Sequence, residues 1–104
     1  MTHTYFFYCI DKPDSAALRE QFLTEHLSYI EKILDHLEVA GPLRDEGSEE
    51  IIGSCFVFNV DTRRKAEQLL HDDPYYQAGI WRQVTCHRFN PAAGSWVGGT
   101  AWNR

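Results

Sequence analysis

Between Asp14 and Glu38 the chain places Leu18, Phe22, Leu23, Leu27, Tyr29, Ile30, Ile33, Leu34 and Leu37 at helical spacing. At roughly 100° per residue these side chains share one arc about 180° wide, and charged or polar residues fill the opposite half. The pattern predicts one long amphipathic helix opened by Pro13-Asp14-Ser15. Arg19 and His26 interrupt the apolar arc near its centre. Burying an unpaired guanidinium or imidazole is costly, so each requires a carboxylate, a carbonyl, water or a ligand. Two blander assignments stand beside that one. His26 can be an idle core histidine bonded to a carbonyl, and Arg19 can extend past the sheet edge into water.

The remaining elements follow from alternation and from turn residues. His3 to Ile10 predicts a strand, stopped by Asp11-Lys12-Pro13-Asp14. Glu38 to Leu43 predicts a short strand at an edge or bend, because Gly41-Pro42 interrupts it. Ile51 to Val60 is the clearest strand, with Gly53-Ser54 near its start. Asp61 is expected to cap a second helix, Thr62 to His71, with Ala66, Leu69 and Leu70 inward. Asp73 before Pro74 fits an N-cap followed by proline at the first helical position, giving a short helix Pro74–Ala78 ended by Gly79. Ile80 to Phe89 closes the series as a strand. The order β-α-β-β-α-β predicts an α+β, ferredoxin-like domain over residues 1–89, an antiparallel sheet with two helices on one face. Residues 90–104 form a glycine-rich tail with Trp96 and Trp102, expected to lie across a partner, lid a pocket or remain partly ordered.

Both sheet faces read as apolar. Tyr5 and Phe7 alternate with Phe6 and Tyr8, and Ile51, Cys55 and Val57 alternate with Ile52, Phe56, Phe58 and Val60. Two helices cover one face, so the other is expected to pack on a second copy or under the tail, and a homodimer is predicted.

Composition narrows the function classes. A net charge of −5 with scattered acids argues against nucleic acid and anionic membranes as partners. Cys9, Cys55 and Cys86 lie in strand-like runs without C-x-x-C spacing, as small hydrophobes in a reducing cytoplasm do. No run is long enough to span a membrane, no signal peptide is evident, and a cytoplasmic location is expected. The five histidines never fall at i, i+4 with a third ligand nearby, so no metal or cofactor is expected.

What remains is acid–base chemistry. His26, aimed at the core, and Asp73, on a proline-fixed turn, are the two halves of a candidate general acid–base pair. Asp73 can cap with one oxygen and orient an imidazole with the other. Ser54 is a candidate ligand donor or simply a strand-entry residue.

These landmarks, taken in order, resemble the YciI-like (YCII-related) family: Asp11-Lys12 with Asp14-Ser15, His26-Leu27, Ala40-Gly41-Pro42, Gly53-Ser54, and Asp73-Pro74-Tyr75 with Ala78-Gly79. The resemblance runs from about Tyr5 to Phe89. It implies a ferredoxin-like fold that dimerises into an α/β barrel and an active-site His–Asp pair, which maps onto His26 and Asp73. Activities ascribed in the family are lyase or dehalogenase-like work on small ring compounds, and other members accompany enzymes without clear activity. Two features depart from the family pattern: Leu23 stands where an arginine is frequent, and the tryptophan-containing tail is longer.

The resulting expectation is a homodimeric small-molecule enzyme of lyase, dehalogenase or isomerase type acting on a small ring or carbonyl compound. His26 is the acid–base and Asp73 its orienting carboxylate. Ser54 and Arg19 contact the ligand, and Tyr5, Tyr75 or Trp81 supply aromatic walls. The alternatives are a non-catalytic dimeric ligand-binding or accessory module and a structural scaffold.

Overall fold

The computed structural model describes residues 1–103; Arg104, the last residue of the expected tail, lies outside them. Four strands, β1 (His3–Asp11), β2 (Leu37–Arg44), β3 (Ile51–Val60) and β4 (Trp81–Phe89), form one antiparallel sheet in the order β2-β3-β1-β4. That order puts β2 at an edge, where the N–H missing at Pro42 costs least. The connections carry α1 (Ala16–Gln21), α2 (Leu23–Lys32), α3 (Arg63–His71) and α4 (Pro74–Gln77). The architecture is the α+β, ferredoxin-like one.

The core lies between sheet and helices. Tyr5, Phe7 and Cys9 of β1 and Phe56, Phe58 and Val60 of β3 meet Ala66, Leu69 and Leu70 of α3. Phe7 and Phe58 pack edge to face at 5.6 Å. Each large side chain so buried contributes about 1.5–3 kcal/mol.

Four details depart from the sequence expectation. The long helix is two helices, broken at Phe22, where the backbone opens to φ −104°, ψ 10°. No proline or glycine marks the break; it leaves Arg19 on α1 and His26 on α2. Thr62, not Asp61, caps α3: its backbone is extended and its side chain accepts from Lys65 N at 3.1 Å, whereas Asp61 stands one residue too early. Ile51 does not share the open face with Cys55 and Val57. The register shifts between Leu43, paired with Gly53, and Arg44, paired with Ile51, and Ile51 lines a pocket on the helix side. Finally, Cys55 and Cys86 are only half-buried, unlike Cys9.

A second irregularity, in the β1–β4 ladder, pairs Asp11 with Trp81 and Ile10 with Gln83, which leaves Arg82 as the extra residue. Trp81 thereby faces the helices. Gly53 is required where β3 meets β1, since a Cβ there would stand 2.3 Å from the Cys9 carbonyl oxygen.

The opposite sheet face carries Phe6, Tyr8 and Ile10 beside Cys55 and Val57, with Tyr8 43% exposed. The tail does not cover it. Its short strands β5 (Ala93–Gly94) and β6 (Gly99–Thr100) form a small hairpin, and Trp96 and Trp102 are 82% and 66% exposed. No helix among the described residues is long and apolar enough to cross a membrane.

Candidate active site

Asp73 caps α4 from an extended conformation, and its Oδ1 accepts from Tyr75 N at 2.9 Å. Pro74 follows at the first helical position with φ suited to the turn, and Gly79 ends it with φ 74°. The same Oδ1 lies 2.7 Å from His26 Nδ1. The carboxylate is 1% exposed, and its second oxygen has no hydrogen-bond partner among the described residues. A carboxylate accepts, so the imidazole directs Nδ1–H to Asp73 and leaves Nε2 without a partner among the described residues. The His26 ring stacks on Tyr75 at 3.8 Å with 7° between planes, which fixes its second degree of freedom.

A second polar cluster adjoins the first. Arg19 Nε and Nη2 donate to the two oxygens of Asp11 at 2.7 and 2.8 Å, a bidentate pair, and Nη2 also reaches Gly53 O at 3.1 Å and Ser54 Oγ at 2.9 Å. Arg19 is 9% exposed, so it does not extend into water as one reading expected. Tyr75 joins the clusters: its hydroxyl donates to Arg19 O at 3.1 Å, and its ring centroid lies 5.2 Å from the guanidinium carbon. Burial raises the Tyr75 hydroxyl pKa, outweighing the opposing pull of Arg19, and keeps this group a donor.

These residues border a pocket of about 290 Å³. Arg19, His26, Ser54 and Tyr75 contribute its polar groups, and Leu23, Leu27, Ile30, Ala40, Pro42, Ile51 and Phe56 its apolar walls. Of the residues singled out in the sequence, His26, Asp73, Arg19, Ser54 and Tyr75 come together. Tyr5 and Trp81 do not line this pocket. Tyr5 pairs with Phe58 toward the other end of β1, away from the Asp11 and Gly53 end where the pocket opens, and is a core residue. Trp81 stands edge-on behind Tyr75 at 6.3 Å and packs against Phe56, supporting the wall rather than forming it. Asp11 was missed as a site residue: it read as a strand-ending acid and, with Lys12, as a family landmark. The signal was available in Arg19, a buried cation that needed a carboxylate.

Burial works against thiolate chemistry in this chain. Burial pushes the Cys9 thiol up to about 12 and raises those of Cys55 and Cys86, so all three are protonated near neutral pH. No cluster of three or more potential ligands occurs among the described residues.

The YCII-related domain model matches residues 3–90. Protein YciI of Escherichia coli O6:H1 is 28% identical over 92 residues, covering 82% of this chain and 94% of that protein. Among solved structures, the 5-chloro-2-hydroxyhydroquinone dehydrochlorinase of Burkholderia phenoliruptrix AC1100, in complex with 2,5-dihydroxybenzoquinone, superposes with a TM-score of 0.78. The two are 22% identical, and the match covers 88% of this chain and 96% of that one.

Proposed function

This chain belongs to the YCII-related domain family, and from that premise we propose that it is a small-molecule enzyme in which His26 transfers a proton under the control of Asp73. The observation that carries the reading is the 2.7 Å contact from His26 Nδ1 to a carboxylate buried to 1% exposure, with Nε2 left for the pocket. A buried carboxylate on one imidazole nitrogen fixes the tautomer and the direction in which the other nitrogen points. In an elimination, Nε2 takes one substrate proton while the leaving group departs with its bonding electrons. The dehydrochlorinase similarity supports halogenated, hydroxylated single-ring compounds as first substrates to test.

The test is halide release from 5-chloro-2-hydroxyhydroquinone by wild type and His26→Ala. Wild type is expected to turn over, and the variant to lose about 10²- to 10⁴-fold in rate with its circular dichroism unchanged. A folded variant of undiminished rate would remove His26 from the chemistry. Loss of fold would make it a core residue.

The apolar sheet face supports a homodimer, closed sheet to sheet into an α/β barrel, as the assembly in which this site works.

A further inference from the structure

The pocket contains a buried arginine, yet its charge is not on offer. Both oxygens of Asp11 hold Nε and Nη2 in a bidentate pair, and the two side chains are 10% and 6% exposed. The other charged groups at the site are Asp73 and His26. One cation and two carboxylates sum to −1 with neutral imidazole and to zero with imidazolium. In neither state does the site carry net positive charge, and the remaining walls are hydrocarbon or aromatic apart from Ser54.

Polar groups remain for an uncharged ligand. Among the described residues Arg19 Nη1 has no hydrogen-bond partner, the Ser54 hydroxyl accepts from Arg19 and has no acceptor of its own, and His26 Nε2 has no partner. These are two N–H or O–H donors and one proton-transfer atom around space for a single substituted ring. A carboxylate or phosphate entering here would shed water for a site with no net countercharge, an unfavourable exchange. A hydroxyl or carbonyl oxygen meets ordinary donors.

We propose that Asp11 is a specificity-determining residue, which neutralises Arg19 and restricts the pocket to uncharged hydroxylated or carbonyl-bearing ring compounds. The inference rests on the pocket being a ligand site, as in the proposed function, but not on any turnover.

The experiment is a binding titration of full-length protein with 4-hydroxybenzamide and 4-hydroxybenzoate, a pair of near-identical shape that differs by one charge, followed by two-dimensional NMR. Wild type is expected to bind the amide at least roughly tenfold more tightly. In Asp11→Asn the uncovered guanidinium should narrow that ratio or invert it. Equal or tighter binding of the benzoate by wild type would overturn the selectivity and leave the ligand site intact. Binding of neither probe would overturn the ligand site itself, and the proposal with it. If Asp11→Asn does not fold, the wild-type pair alone decides.

Discussion

Asp73 shows how much one side chain can be asked to do. A single oxygen accepts from the backbone of Tyr75 and from His26, so the helix cap and the imidazole restraint share an atom. Asn at this position keeps a capping oxygen, whereas Ala removes it. Asp73→Ala is expected to be about 1 kcal/mol less stable than Asp73→Asn in denaturant melts, with both variants losing the activity assigned to His26. Equal stability of the two would deny the cap its role. This residue was legible in the sequence because Asp-Pro follows the grammar of helix starts and His26 broke an otherwise apolar arc. The partner of Arg19 was not, since nothing in linear spacing separates Asp11 from the other acids around Pro13. A buried thiol and a half-buried hydroxyl make a second residue-scale prediction. Cys9 is pushed by burial from 9.0 to about 12, and Tyr29 from 10.0 to about 12 by burial reinforced by Asp72 and Asp73. Both folded values lie above the unfolded ones, so their stabilisation is complete below about pH 9. It falls as the unfolded chain loses these protons and is gone above about 12. Melting temperature should therefore decline steadily across that window, and less steeply in Cys9→Ala.

Among the elements, strands were easier to foresee than the ends and breaks of helices. Ile51–Val60 is bounded in the structure as predicted, because β-branched and aromatic residues dominate both ends of the run between polar turns, with Gly53, Ser54, Cys55 and Asn59 as its only other members. The break at Phe22 had no such marker: its backbone geometry reflects how α1 and α2 lie against different parts of the molecule, Arg19 tied to the end of the sheet and His26 to α4. The three ladder irregularities, at Leu37/Val39, Leu43/Arg44 and Ile10/Asp11, were equally silent, as each depends on which strands become neighbours. Gly53 sits at the one beside Leu43, and the Cys9 carbonyl leaves it no room for a methyl group. Gly53→Ala is expected to cost about 2 kcal/mol or more by forcing β3 away from β1. It should also disturb Arg19, which donates to the Gly53 carbonyl. Chemical denaturation reads the first effect, and NMR shifts of the Arg19 side chain read the second. An unchanged midpoint would mean the strands separate there at no cost.

On the scale of the whole molecule, the chain extends further than its length requires. Its radius of gyration is 14.6 Å, against about 13 Å for a compact domain near this size, and the projecting tail is in keeping with the excess. The helix-free, apolar sheet face was legible from strand alternation; the position of the tail was not, because glycine and small residues carry no period. If the helix-free face mediates self-association, Tyr8→Lys should convert the protein from dimer to monomer in sedimentation equilibrium while leaving the monomer folded. A monomeric wild type would remove the dimer at once. The separation of the three tryptophans has an optical consequence. Trp96 and Trp102 stand in solvent, whereas Trp81 is buried edge-on against Tyr75, the ring on which His26 rests. Iodide should quench the two tail indoles and spare the third, leaving a short-wavelength emission from Trp81 alone. Because a ligand seated against Tyr75 alters the surroundings of that indole, the residual fluorescence becomes a label-free gauge of pocket occupancy that needs no substrate turnover.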